Sequence, residues 1–98
     1  MLYYVYVLKS RKDGQYYIGQ TNNIEVRLRQ HMNGKVISTK NRRPFYIVGY
    51  KVYKSRSEAM WIEHLLKTHS DRKKKFIDSL YKEKASGPDG SLAQEGGD

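Results

Sequence analysis

Leu2-Tyr3-Tyr4-Val5-Tyr6-Val7-Leu8 is followed, after the polar stretch Ser10 to Gln15, by Tyr16-Tyr17-Ile18-Gly19. The first run is apolar and aromatic almost without break, which reads as a strand buried on both faces. Asp13-Gly14 in the polar stretch is a strong turn signal. The two runs therefore predict an N-terminal β-hairpin. Alternation puts Tyr4, Tyr6 and Leu8 on one face and Tyr3, Val5 and Val7 on the other.

Working outward, Asn22 stands three residues before Glu25 and resembles a capping box with Asn as the cap. Ile24, Leu28 and Met32 follow at helical spacing and Gly34 suits a helix end, so a helix is expected at about 23–33. Lys35 to Arg43 reads as an exposed basic loop ended by Pro44, and Phe45 to Tyr53 as a third strand. Ser55 with Glu58 forms a second capping box. Ala59, Ile62, Leu65 and Leu66 give the apolar stripe of a helix at about 56–68. A further helix at about 71–83 carries Phe76, Ile77 and Leu80 on one side and the run Arg72-Lys73-Lys74-Lys75 near its start. The order β-β-α-β-α-α around a three-stranded sheet predicts an α+β domain at 1–84. Ala85 to Asp98 holds four of the eight glycines and one large aliphatic, Leu92, and reads as a flexible tail.

Ninety-eight residues fit one domain. There is no cysteine, which excludes disulfides and thiolate metal sites and suits a reducing cytoplasm. No apolar run reaches the roughly 20 residues of a membrane span, so a soluble cytoplasmic protein is expected. The formal net charge is +9. Nineteen Lys and Arg against seven acids give residues 1–84 a charge of +12. Such a surplus attracts polyanions and accelerates their encounter, although many small proteins are simply basic.

Several side chains are candidates for chemistry, and each has an ordinary structural reading. The hairpin can bring Tyr6 and Tyr17 together across strands, but tyrosines also pack sheets. Arg27 and His31 are four apart and share a helical face, His31 inside the apolar stripe and Arg27 on its edge. Either could instead be a snorkelling arginine and a satisfied core histidine. Glu63 lies at the edge of the second helix's apolar stripe, where a carboxylate is costly unless paired or bound to metal. Its alternative is an ordinary i,i+4 pair with Lys67.

Tyr4-Val5-Tyr6, Tyr17-Ile18-Gly19, Arg27, His31 and Glu63, in that order, resemble the signature of the GIY-YIG nucleases. The first triplet has Tyr4 where the name has glycine; the second is intact. The likeness covers about residues 2–80. It is closest to small stand-alone bacterial members related to the incision domain of the excinuclease C subunit. Ser38-Thr39-Lys40-Asn41-Arg42-Arg43-Pro44 is similar to their basic loop.

The resemblance implies a GIY-YIG fold and a one-ion hydrolysis of DNA, with RNA as the other nucleic acid to consider. Glu63 would be the ligand of one Mg²⁺ or Mn²⁺, Arg27 the holder of the scissile phosphate, and Tyr6 the general base with Tyr17 as its companion. His31 would accept or relay the proton. Nearby cations are expected to lower the pKa of Tyr6. Gly19 would let backbone approach the substrate and Thr21 would bond a phosphate. Lys40, Arg42, Arg43 and Lys67 would touch the nucleic acid. Nothing resembles a separate specificity domain, so structure-selective or partner-directed cutting in DNA repair is expected. The alternatives are a non-catalytic nucleic-acid-binding module, or an adaptor subunit lent to a repair complex.

Overall fold

The computed structural model describes residues 1–85. Its elements are β1 (Tyr3–Ser10), β2 (Tyr16–Thr21), α1 (Ile24–Met32), a 3₁₀ turn (Lys40–Arg42), β3 (Phe45–Tyr53), α2 (Arg56–Thr68) and α3 (Ser70–Ala85). The strands form an antiparallel sheet in the order β2-β1-β3. This is the α+β arrangement that the sequence implies.

The central position of β1 explains its unbroken apolar run, because both of its faces are covered. Val5 and Val7 join Ile18, Val48, Ala59, Leu66, Ile77 and Leu80 in one core, under α2 and α3. On the other face Tyr6, Leu8 and Phe45 pack with Ile24 and Leu28 of α1. The β1–β3 register shifts between Val7 and Leu8, which pair with Gly49 and Ile47. Val48 is the extra residue of this bulge, and it is fully buried. Helices thus cover both faces of the central strand.

The element boundaries refine the sequence expectations in four places. The helix α1 is capped by Asn23, whose side chain accepts from Val26 N at 3.1 Å, and not by Asn22. Thr21 explains the shift: its Oγ1 accepts from Asn23 N at 3.1 Å and donates to Asn23 O at 3.3 Å, so the turn places Asn23 at the helix entry. The supposedly exposed loop 35–43 contains Val36 and Thr39, both buried, as well as the 3₁₀ turn. Ser10 ends β1 as a buried residue and donates to Arg42 O at 2.6 Å, pinning that loop to the hairpin. The last helix runs through Ala85, and the remainder of the expected tail, 86–98, lies outside the described residues. Ser55 caps α2 as anticipated, accepting from Glu58 N at 3.2 Å. Among the described residues no helix is long and apolar enough to cross a membrane.

Candidate active site

Tyr6 stands at the middle of the central strand, opposite Gly19 in β2 and Tyr50 in β3. Its side chain is 1% exposed. A Cβ on residue 19 would overlap the Tyr6 hydroxyl and lie 2.6 Å from its Cζ. Gly19 therefore makes room for the Tyr6 ring, where the sequence reading had it making room for substrate. Tyr17 pairs with Leu8, which puts it diagonal to Tyr6 on the same face. The two rings are 6.4 Å apart between centroids, within the diagonal reach of aromatic side chains.

His31 projects from the last turn of α1 into this face and is fully buried. Its Nε2 lies 2.8 Å from the Tyr6 hydroxyl and its Nδ1 lies 2.8 Å from Thr39 Oγ1. Thr39 Oγ1 also donates to Val36 O at 3.4 Å. One assignment satisfies all three contacts: Nδ1–H donates to Thr39, Thr39 donates to Val36 O, and the Tyr6 hydroxyl donates to a bare Nε2. The Tyr17 ring meets the imidazole edge-on at 5.0 Å. Burial, with the charge of Arg27 added, pushes the His31 pKa down to about 4. Burial pushes the Tyr6 hydroxyl up to about 12, against the pull of Arg27 beside it. The expected lowering of Tyr6 by cations is thus present from Arg27 but outweighed by desolvation in the protein alone.

Arg27, on the same face of α1, is half-buried. The Tyr6 hydroxyl raises its pKa, and Tyr17 adds to the effect, while desolvation opposes it. Its Nη1 donates to Gln30 Oε1 at 3.1 Å. Glu63 comes from α2, close enough for its charge to act on Tyr6. Its side chain is 22% exposed, and Oε2 lies 2.8 Å from Lys67 Nζ. That ammonium in turn sits 5.7 Å from the centroid of the Tyr17 ring. Both readings of Glu63 therefore meet in one place: the carboxylate has its i,i+4 partner and also lies within electrostatic reach of Tyr6. Tyr6, Tyr17, Arg27, His31 and Glu63 are brought together from three elements and the hairpin's inner strand.

The remaining candidates are more occupied. Thr21 spends its hydroxyl on the turn to Asn23. Arg42 is held by Asp13 at 2.9 Å and lies over the Phe45 ring. Arg43 donates to Lys40 O at 2.9 Å and to Met32 O at 3.4 Å, closing the end of α1. Lys40 and Arg43 border a separate depression with Lys12. Thr39 is the residue that sequence reasoning missed: it orients His31, yet only its place in the basic loop marked it.

No group of three or more His, Cys, Asp or Glu suited to a metal exists among the described residues. Glu63 alone would offer a carboxylate. One carboxylate with water and phosphate oxygens fits Mg²⁺, which keeps much of its hydration, and does not fit a closed transition-metal cage.

A compact α+β body with a tyrosine pair, an arginine and a helical glutamate around one face defines a class of nuclease-like domains. The model of the GIY-YIG catalytic domain matches residues 2–76, and the chain belongs to the GIY-YIG nuclease superfamily. Among curated relatives, a UPF0213 protein of Staphylococcus haemolyticus is 42% identical over 73 residues, covering 74% of this chain and 88% of the relative. Another, from Halalkalibacterium halodurans, is 40% identical over 81 residues, covering 82% and 85%. The solution NMR structure of a UPF0213 protein from Bacillus halodurans superimposes with a TM-score of 0.53 at 34% identity, covering 90% of this chain and 98% of that one.

Proposed function

We propose that the chain is a cytoplasmic, divalent-metal-dependent endonuclease that hydrolyses phosphodiesters in DNA, selecting by structure or through a partner protein in repair. The observation that carries this reading is the convergence of Tyr6, Tyr17, Arg27, His31 and Glu63 on one face. Glu63 would hold the ion, which supplies positive charge to the leaving oxygen when bound. Arg27 binds the scissile phosphate with a fixed planar charge. Tyr17 orients water or phosphate beside it. Tyr6 takes a proton from the attacking water as its own proton passes along the 2.8 Å contact to His31 Nε2. A Tyr6 near 12 facing a His31 near 4 makes that transfer uphill at rest. It therefore proceeds only in concert with attack, when the hydroxyl and the water share the proton's motion.

The rival is a basic module that binds nucleic acid without cutting it, a role the net charge of +9 would serve equally. Wild type and Glu63→Gln should be incubated with plasmid, branched and nicked DNA and RNA, with Mg²⁺, Mn²⁺ or chelator. Cutting by wild type, lost with chelator and reduced at least about 10²-fold by Glu63→Gln or Arg27→Ala, supports the nuclease. Binding of every substrate with no metal-dependent cleavage would leave the module.

A further inference from the structure

A polar groove of about 400 Å³ runs beside the tyrosine cluster, and Arg27 belongs to both. Its other lining includes Gln20, Asn22, Gln30 and, from the first turn of α2, Arg56. Among the described residues no carboxylate lines it. Two guanidiniums from different helices thus face a space of nucleotide dimensions, and no anion of the described residues shares its lining. Gln30 turns its Oε1 to Arg27 at 3.1 Å, which leaves its amide N–H groups to donate elsewhere.

Arg56 is the informative member. It follows the cap Ser55 directly, at the first helical position of α2. A positive charge there opposes the helix dipole. It is exposed and makes no hydrogen bond, ion pair or ring contact among the described residues. Arg56 and Glu63 are seven residues apart on one helix and so share a face, about 10 Å apart along the axis. A strand whose phosphate rests on Arg27 near Glu63 would therefore continue toward Arg56.

We propose that this groove is the subsite for the nucleotide flanking the scissile phosphate. Arg56 binds the neighbouring phosphate, and the carboxamides of Gln20, Asn22 and Gln30 face its sugar and base edges. The assignment rests on the nuclease reading for the position of the scissile phosphate at Arg27. Its contact with DNA can be measured without any cutting.

The test is fluorescence anisotropy of labelled DNA oligonucleotides with wild type, Arg56→Gln and Arg56→Glu, in chelator, across about 50 to 200 mM salt. Arg56→Gln should weaken binding about 5- to 10-fold and Arg56→Glu more. The slope of log affinity against log salt should fall by about one phosphate contact. Thermal midpoints of both variants should equal or exceed wild type, which separates lost contact from lost fold. Amide signals of Gln20, Asn22 and Gln30 should shift when oligonucleotide is added to wild type. Unchanged affinity and slope in both variants overturn the subsite, and leave the nuclease standing if wild type still cuts with Mg²⁺. Weaker binding in the variants, with no cutting by wild type, keeps the subsite as a DNA contact and removes the nuclease. Absence of any binding by wild type removes both.

Discussion

The Tyr6 hydroxyl and His31 Nε2 stand 2.8 Å apart, 1% and 0% exposed, at the meeting of β1 and α1. Burial holds the folded imidazole near 4, whereas an unfolded histidine titrates near 6.5. Between these values the unfolded chain binds more protons than the folded one. His31 therefore contributes stability above about pH 6.5, and the contribution is lost as pH falls through about 4. The size is on the order of 3 kcal/mol. Urea unfolding followed from pH 7 to pH 4 should show wild type losing that much more than His31→Gln, whose amide cannot titrate. Parallel pH profiles for the two proteins would mean that the imidazole is solvated or already charged.

Thr39 sets which nitrogen of His31 faces Tyr6, because its Oγ1 accepts from Nδ1. Thr39→Val keeps the shape and removes the acceptor, leaving a buried N–H without a partner. That should cost about 1–3 kcal/mol. Thr39→Ser, which keeps the hydroxyl, should lose less. Urea midpoints of the pair distinguish the hydrogen bond from simple packing: a Thr39→Val no less stable than Thr39→Ser would show that the hydroxyl contributes nothing beyond the volume it fills.

Much of this centre was legible because its parts obey short-range periodicities. The pleat put Tyr6 on the outer face, and Arg27 and His31 share a face because they are four residues apart in α1. Glu63 declared itself by standing at the margin of an apolar stripe. Thr39 and Arg56 were not legible, since their meaning depends on a contact between residues 8 apart, from helix end to irregular loop, and on a groove assembled from separate elements. The cap of α1 slipped from Asn22 to Asn23 because Thr21 forms its own turn first, a local competition that spacing alone does not rank. The role of Gly19 was legible as a need for closeness, but what comes close is Tyr6.

Gly19→Ala tests that closeness. The new methyl would collide with the Tyr6 hydroxyl and Cζ, and Tyr6 is fixed by its bond to His31. Overpacking of this kind costs about 1–3 kcal/mol. The Tyr6–His31 contact should open, so the acid-dependent loss of stability assigned above to His31 should shrink together with the midpoint. A variant as stable as wild type, with the same pH profile, would show that the ring has room to move and that the glycine serves another purpose.

Lys67 Nζ occupies Glu63 Oε2 at 2.8 Å, on the carboxylate that would receive a divalent ion. An ion binding through Oε2 would compete with the ammonium for that oxygen. Lys67 is half exposed, so the pair is worth no more than about 0.3–1 kcal/mol. Removing it should therefore tighten ion binding only about 2- to 5-fold. Lys67→Met keeps most of the apolar stem and deletes the charge. Mn²⁺ titrations followed by paramagnetic broadening of α2 amides, or by fluorescence of Trp61, the sole tryptophan and two residues from Glu63, read this directly. Glu63→Gln should abolish the broadening, which fixes the site being read. If Glu63→Gln abolishes it and Lys67→Met leaves the Mn²⁺ affinity unchanged, the ammonium already swings clear of the carboxylate in solution and does not compete for it.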